Sequence, residues 1–233
     1  MSQIIALGGG GFSTEPDNLA LDRYILEQSG KDRPEICFLP TASGDALDYI
    51  VRFYAAFTTL DCRPSHLTLI HPSTGDLEAF IFEKDILYVS GGNTRSMLAI
   101  WDGWGVTEIL MKAWQTGVLL AGISAGAMCW FEQGITDSVP GRLSKMDCLG
   151  FLPGSCCPHF DGEADRRPTF HRLLSNDQIL PGYGIDDGAA LHLVDNKLLR
   201  VVSSRPQATA YSLDKVAGEV VEQPLDRIFL AGS

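Results

Sequence analysis

The chain has 233 residues, of which 45% are hydrophobic and 20% are charged, so wholesale disorder is excluded and a full hydrophobic core is expected. The 18 Lys and Arg residues against 29 Asp and Glu residues leave a net charge of −11. Such an acidic balance argues against a protein that binds nucleic acid, which should carry a basic patch.

Export and membrane insertion are not indicated by any segment. The first ten residues, MSQIIALGGG, lack the basic part and the long apolar part of a signal peptide. No apolar run approaches the roughly 18 residues that span a bilayer. The six cysteines are too dilute for a disulfide scaffold, and none stands in a C-x-x-C pair. We therefore expect a cytoplasmic chain with reduced thiols and no membrane partner.

Short apolar segments alternate with amphipathic segments in the first part of the chain. Strands are predicted at 4–7, 36–39, 67–70, 86–89 and 118–121. Helices are predicted at 19–26, 47–57, 77–81, 97–101, 106–114 and 125–131. The four glycines at 8–11 match no nucleotide-binding loop and predict a wide turn after the first strand.

The pattern changes after about residue 134. An irregular stretch rich in Pro and Gly is followed by a helix that ends near 170–174 and by short strands at 189–194, 198–202 and 208–213. Strands that alternate with helices are typical of a parallel sheet. We predict a single α/β domain over residues 1–233, with a mostly parallel sheet flanked by helices and a small antiparallel extension at the C-terminal end.

The sharpest motif is G-I-S-A-G at residues 122–126, a G-x-S-x-G pattern between a predicted strand and a predicted helix. On such a turn the serine hydroxyl is lifted clear of the sheet, and larger flanking side chains would block the neighbouring backbone. The turn also places the Ala125 N–H where negative charge is favoured. The motif therefore predicts Ser124 as a nucleophile.

A serine nucleophile needs a histidine base and an acid that orients it, and two arrangements are open. In the order of α/β-hydrolases, the base is His192 and the acid is Asp161 or Asp186. In the other order, the base is His159 and the acid comes from residues 184–188. We favour the second, because the chain lacks the H-G-G-G segment of α/β-hydrolases and because His192 falls within a predicted strand. The second order also places each candidate on a loop or strand end, where parallel sheets form their sites.

Four segments together resemble the peptidase E family of serine peptidases, which includes aspartyl dipeptidase and, more distantly, cyanophycinase. They are S-G-G-N-T at 90–94, G-I-S-A-G at 122–126, P-H-F at 158–160 and G-I-D-D-G-A at 184–189. The resemblance covers nearly the whole chain. It implies a flavodoxin-like fold similar to class I glutamine amidotransferases, with serine where those enzymes have cysteine.

The resemblance also implies roles for individual residues. Ser124 would be the nucleophile and His159 the general base. Asp187 would be the orienting acid, at a position where aspartyl dipeptidases carry Glu. Gly92 and Ala125 would donate their backbone N–H groups to the oxyanion.

Three further residues are implied by the same resemblance. Asp137 matches an acidic position of the family and is the alternative to Asp187 as the supporting acid. In aspartyl dipeptidases an arginine downstream of the histidine holds the Asp side chain of the substrate, and Arg166 and Arg167 lie in that region. Short peptides, with N-terminal Asp preferred, are the substrates this implies. Broader dipeptide specificity stays open, as does a purely solvated role for both arginines.

The expected reaction is acyl transfer through an acyl-enzyme, which needs no metal and no organic cofactor. The expected partner is a small peptide, and a homodimer is left open. Two other functions are also open: an esterase or amidase that uses His192 as base, and an amidotransferase-like domain that binds a ligand without turnover.

Overall fold

The computed structural model describes residues 1–72 and 74–231. The strands of this part are β1 (Gln3–Leu7), β2 (Glu35–Leu39), β3 (Arg63–His66), β4 (Ile86–Val89), β5 (Leu119–Ile123), β6 (Phe131–Thr136), β7 (Ser144–Asp147), β8 (Leu152–Cys157), β9 (Gly182–Ile185), β10 (Ala189–Val194), β11 (Lys197–Ser203), β12 (Ala210–Val216), β13 (Glu219–Pro224) and β14 (Arg227–Phe229). The helices are α1 (Gly11–Thr14), α2 (Ala20–Gln28), α3 (Leu47–Phe57), α4 (Leu77–Phe82), α5 (Thr94–Gly103), α6 (Val106–Gln115), α7 (Ala125–Met128) and α8 (Arg166–Ser175).

The larger sheet has the strand order β14-β11-β10-β1-β5-β4-β2-β3. Strands β1, β5, β4, β2 and β3 run parallel to one another, and β10 and β11 continue the sheet in antiparallel pairing beside β1. Helices pack against this sheet, so the predicted α/β class with a mostly parallel sheet is confirmed. The carboxyl ends of β1, β4 and β5 meet at one edge, which is where parallel sheets place their sites.

Strand β1 shows why this sheet is the centre of the molecule. Ile4 and Ala6 belong to one buried apolar cluster, and Ile5 and Leu7 belong to another, so successive side chains of the strand are buried on opposite faces. A strand that is apolar on both faces must be covered on both, which fixes β1 between two layers. The loop that follows β1 is therefore anchored at the edge where the carboxyl ends of β1, β4 and β5 meet.

A second sheet has the order β13-β12-β9-β8-β6-β7 and includes the stretch that was expected to be irregular. Its strands β6 and β8 pair in parallel, with a register shift between Phe131 and Gln133. Glycines and prolines interrupt the apolar alternation of these short strands, so pairing with distant partners decides their structure.

Two predicted elements are wrong in their bounds. The third strand is β3, which ends at His66, and the predicted segment 67–70 is a loop whose Leu69 and Ile70 N–H groups donate to the Asp45 carboxylate, each at 2.8 Å. The helix predicted at 125–131 ends at Met128, and β6 begins at Phe131. Residues 125–131 are buried throughout, whereas 67–70 is a short, mostly apolar run in which Ile70 is exposed. Apolar content alone does not distinguish a helix from a strand or a loop in such short segments. No helix in the described ranges is long and apolar enough to cross a membrane.

Candidate active site

Ser124 lies on a sharp turn between β5 and α7, with φ 56° and ψ −111°. A positive φ is strained for a residue with a side chain, and such strain is typical of a turn that presents a reactive group. The glycines of the motif are required by crowding: a Cβ at Gly122 would overlap the Gly126 carbonyl, and a Cβ at Gly126 would overlap the carbonyl of Val89. The Ser124 N–H donates to the Leu7 carbonyl at 3.1 Å, which ties the turn to β1.

His159 and Asp187 form a direct pair. The His159 Nδ1 and Asp187 Oδ1 atoms are 2.6 Å apart, and both side chains are mostly buried. The hydrogen bond from His159 holds the pKa of Asp187 below its usual value. A carboxylate on Nδ1 selects the tautomer that carries its proton there, which leaves Nε2 able to accept a proton. The Phe160 N–H donates to the Ile185 carbonyl at 3.0 Å and so joins the two loops that carry the pair.

Two glycines and an aspartate hold Asp187 in place. The Asp187 N–H donates to Oδ1 of Asp161 at 2.8 Å. A Cβ at Gly9 would overlap Asp187 Oδ1, and a Cβ at Gly162 would lie 2.5 Å from Asp187 Oδ2. Asp161 was a candidate acid for His192, and here it binds the backbone of Asp187 instead. Gly9 and Gly162 were not expected at the site, although the glycine run after β1 was a signal of close backbone approach.

A cavity of about 340 Å³ lies at this edge of the sheet. It is lined by Gly92, Asn93, Ser124, Asp137, Ser138, His159, Glu163 and Arg166. Within the described ranges, no hydrogen bond joins the Ser124 hydroxyl to His159, a looseness that is common in sites without substrate. The cavity thus brings a serine and a carboxylate-bound histidine to one space, which suits acyl transfer.

Gly92 lines the same cavity as Ser124, and Ala125 follows Ser124 in the chain. Gly92 has φ 139°, and a Cβ there would overlap the Ala42 carbonyl, so the close approach of this loop requires glycine. Ala125 is the first residue of α7, so its N–H has no partner within the helix. Among the loop hydrogen bonds of the described part of the chain, neither group donates. Both remain able to bind an oxyanion.

Arg166 lies in the cavity wall and is almost completely buried. Its guanidinium donates to both carboxylate oxygens of Glu163, at 2.8 and 3.2 Å, and to the Ile135 carbonyl at 2.8 Å. The Asp137 carboxylate, which is mostly exposed, lies 3.9 Å from Arg166. Asp137 therefore lines the cavity beside the arginine, and its only described ion pair is with Arg166 rather than with His159.

Arg167 points elsewhere. Its guanidinium lies over the rings of Phe160 and Tyr211, at 4.6 and 4.5 Å from their centroids, and 3.7 Å from the Glu222 carboxylate. It does not line the cavity. The two adjacent arginines of the sequence are thus separated by the structure, and only Arg166 is placed near Ser124.

His192 is also kept away from the cavity. It lies within β10, where Nδ1 is 2.6 Å from the Tyr24 hydroxyl and Nε2 is 3.0 Å from Gln3 Oε1. Burial lowers the pKa of His192 to about 4. Asp186, a candidate acid for His192, accepts a hydrogen bond from the Thr209 N–H at 3.1 Å and is not bonded to His192. Burial raises the pKa of Asp186 to about 6. The structure therefore does not bring His192 and Asp186 together with Ser124.

The cysteines take no part in this cavity. All six are free thiols, and Cys156 and Cys157 are fully buried. Burial raises the pKa of Cys157 to about 12. Among the described residues, no group of three or more His, Cys, Asp and Glu side chains is arranged to hold a metal ion.

This chain is similar to known proteins that are named as peptidases. The sequence profile of peptidase family S51 matches residues 4–201. The uncharacterized peptidase YgaJ of Bacillus subtilis (strain 168) is 58% identical over 225 residues, which cover 97% of each chain. Peptidase E of Streptomyces coelicolor is 28% identical over 171 residues, which cover 68% of this chain and 67% of the relative. The crystal structure of a peptidase from an acI-B1 actinobacterium superimposes with a TM-score of 0.75 at 19% identity, covering 97% of this chain and 95% of that one.

Proposed function

The chain belongs to peptidase family S51 and is a serine-type peptidase, and from that premise we propose that it hydrolyses short peptides with Ser124, His159 and Asp187 as its triad. The observation that carries this proposal is the 2.6 Å hydrogen bond between His159 and Asp187 at the wall of the cavity that also contains Ser124. The strained turn at Ser124 supports it independently.

The reaction follows from these positions. His159 Nε2 takes the hydroxyl proton of Ser124 as Oγ attacks the scissile carbonyl carbon. The N–H groups of Gly92 and Ala125 bind the oxyanion of the tetrahedral intermediate. Protonated His159, stabilised by Asp187, then gives its proton to the leaving amine. A water molecule hydrolyses the acyl-enzyme in the reverse sequence, again with His159 as base.

The acid is an Asp where the aspartyl dipeptidases have Glu. Its shorter side chain is matched by the close approach of the backbone behind it, since Gly9 and Gly162 leave no space for a side chain there. The carboxylate thereby reaches Nδ1 of His159 without the additional methylene. This crowding supports a working triad rather than a domain that has lost turnover.

We propose that Asp137, Glu163 and Arg166, which line the cavity, determine substrate preference. A free α-amino group suits the two carboxylates, and the carboxylate of an N-terminal Asp side chain suits Arg166. Because Glu163 already binds two N–H groups of Arg166, an incoming carboxylate shares this arginine with it. The proposed substrate is therefore a dipeptide or short peptide with a free N-terminus, with Asp preferred at the first position.

A dipeptide series tests the preference. Asp-X, Glu-X, Ala-X and Lys-X are compared by kcat/KM, and Asp-X is expected to be the best substrate. Glu163→Gln frees Arg166 from its ion pair and should increase the ratio of Asp-X to Ala-X. Arg167→Gln, which changes an arginine outside the cavity, should leave the ratio unchanged. Equal or faster hydrolysis of Ala-X and Lys-X by the unaltered enzyme would refute the Asp preference while leaving the peptidase activity intact.

The nucleophile is tested directly with a fluorophosphonate probe. The probe should label the unaltered protein at Ser124, and Ser124→Ala should lose both labelling and hydrolysis while keeping its melting temperature. Labelling that persists in Ser124→Ala, or hydrolysis by that variant, would remove Ser124 from the mechanism. A protein that neither labels nor hydrolyses any member of the series would instead fit the binding domain without turnover.

A further inference from the structure

Tyr49 of α3 contacts two loops near the candidate active site, one through Ser13 and the other through Gly91. Its side chain is nearly buried, and its hydroxyl is hydrogen-bonded to the Ser13 hydroxyl. The same oxygen accepts a hydrogen bond from the Gly91 N–H at 3.5 Å. Ser13 belongs to the short helix that follows the glycine run behind Asp187, whereas Gly91 directly precedes Gly92. The Tyr49 hydroxyl therefore connects the loop behind the acid to the loop of the proposed oxyanion donor.

The contact lies close to the nucleophile. Gly91 has no side chain, and a Cβ at this position would lie 3.4 Å from Cβ of Ser124 and 3.8 Å from the Tyr49 hydroxyl. Gly91 alone therefore separates the Tyr49 hydroxyl from the Ser124 side chain. A shift of Gly91 would move the Gly92 N–H relative to Ser124 Oγ.

The surroundings hold the Tyr49 ring in one orientation. It packs against Phe12 and Phe38, with ring centroids 5.7 and 5.2 Å away. The Arg52 guanidinium lies 4.5 Å from the ring centroid and donates to the Ser13 carbonyl at 2.9 Å. Burial raises the pKa of Tyr49, so the hydroxyl stays neutral and can accept from Gly91 while donating to Ser13.

We infer that Tyr49 is a positioning residue, whose hydroxyl fixes the Gly91–Gly92 backbone so that the Gly92 N–H is directed at the oxyanion formed on Ser124. This inference rests on the proposed roles of Ser124 and Gly92. The hydrogen bond from Gly92 strengthens only when the carbonyl oxygen becomes an oxyanion, so its misplacement affects the transition state more than substrate binding. Tyr49 itself does not line the cavity and is not expected to contact the substrate.

The test compares Tyr49→Phe with Tyr54→Phe. Tyr54 lies on the same helix and its hydroxyl is 2.9 Å from Nδ1 of His66, so this control loses a comparable hydrogen bond away from the cavity. Tyr49→Phe should lower kcat about tenfold and leave KM within about twofold, because a small displacement of a donor acts on the transition state. Tyr54→Phe should leave both constants within about twofold of the unaltered enzyme. Equal kcat values in the two variants, or a change in KM alone, would overturn the inference.

A second measurement follows the stability of the loop that contains Gly91 and does not depend on enzyme activity. Amide hydrogen exchange of residues 90–93 should be faster in Tyr49→Phe and unchanged in Tyr54→Phe, since only the first variant releases Gly91. Unchanged exchange in Tyr49→Phe overturns the positioning role. Failure of the proposed function would look different, because the unaltered protein would then resist labelling at Ser124 whatever the exchange shows.

Discussion

Gly9 lies directly behind the carboxylate of Asp187, so that any side chain at position 9 would overlap Oδ1 of that acid. A Cβ at the same position would also lie 3.2 Å from Nδ1 of His159. The backbone holds the two loops together, since the Gly188 N–H donates to the Gly9 carbonyl at 3.0 Å. The turn after β1 is therefore the rear wall of the His159–Asp187 pair.

Gly9→Ala should displace the Asp187 carboxylate from His159. We expect kcat to fall by roughly 10²-fold, because a misplacement of about 1 Å has effects of that order. The matched control is Gly103→Ala, at the end of α5, where an added Cβ meets no atom within 4 Å. The control should retain full activity. If Gly9→Ala were as active as Gly103→Ala, the close packing behind Asp187 would have no catalytic importance.

Asp187→Asn should be far more harmful than Asp137→Asn. An amide at position 187 no longer stabilises the imidazolium or selects the correct tautomer of His159, and a loss of about 10³–10⁴-fold in kcat is expected. Asp137 is exposed and lies 3.9 Å from Arg166, so its amide variant should change KM for charged substrates and leave kcat within about tenfold. Steady-state kinetics of the two variants decide which acid supports the base. The reverse order of effects would move that role to Asp137.

His192→Gln should separate stability from catalysis. The two ring nitrogens of His192 bind Tyr24 and Gln3 inside the fold, and the amide of a glutamine does not reproduce both positions, so the melting temperature should fall. Its kcat at a temperature where it is folded should remain within a few-fold of the unaltered enzyme. His159→Gln should show the opposite result, with a normal melting temperature and kcat reduced by at least about 10³-fold. Inactivity of a folded His192→Gln would favour the hydrolase arrangement that uses His192 as base.

Asp22 should make the stability depend on pH. It is completely buried beneath the glycine run, one carboxylate oxygen accepts the Phe12 N–H at 2.8 Å, and burial raises its pKa to about 7 from 3.8. Because the pKa of this carboxyl is higher in the folded protein than in the unfolded chain, its contribution to the free energy of unfolding is complete below about pH 4. This contribution is lost as the pH rises through about 7.

The asparagine of Asp22→Asn cannot ionise. The free energy of unfolding of this variant, relative to that of the unaltered protein, should therefore rise between pH 4 and pH 8. Urea unfolding at several pH values measures this difference. Asp17→Asn, which removes an exposed carboxyl close by in sequence, is the control for the loss of one negative charge. A pH-independent difference for Asp22→Asn would mean that Asp22 is already ionised in the folded protein.

Thiol reagents should not inhibit the enzyme. The thiols are buried or partly buried, and burial raises the pKa of Cys62 to about 11 and that of Cys37 and Cys148 to about 12, so few thiolates form near pH 7. Activity after iodoacetamide treatment should equal that of the untreated enzyme. Ser124→Cys is the positive control, because a thiol at this strained turn should be alkylated and should show that the reagent enters the cavity. Loss of activity in the unaltered enzyme on alkylation would contradict the serine mechanism.

The candidate nucleophile and the fold class were accessible from the sequence because both depend on short-range patterns. G-x-S-x-G encodes a turn within five residues, and strands alternating with helices are visible as changes of apolar period. The bounds of β3 and α7 were not accessible in this way. Strand β3 is the polar segment R-P-S-H, which has no apolar pattern that would predict it. Residues 125–131 are buried throughout, so they have no apolar period that separates a helix from a strand.

The sequence by itself determined that a serine lies on a tight strand-to-helix turn in an α/β fold, with histidine and aspartate segments downstream. Only the tertiary structure decided which side chains meet. It joined His159 to Asp187 because their loops follow the neighbouring strands β8 and β9, and it enclosed His192 between Tyr24 and Gln3. Arg166 and Arg167 are adjacent in sequence, yet one lies in the cavity wall and the other over two aromatic rings. These choices depend on strand pairing and packing between residues far apart in the chain, which no local pattern encodes.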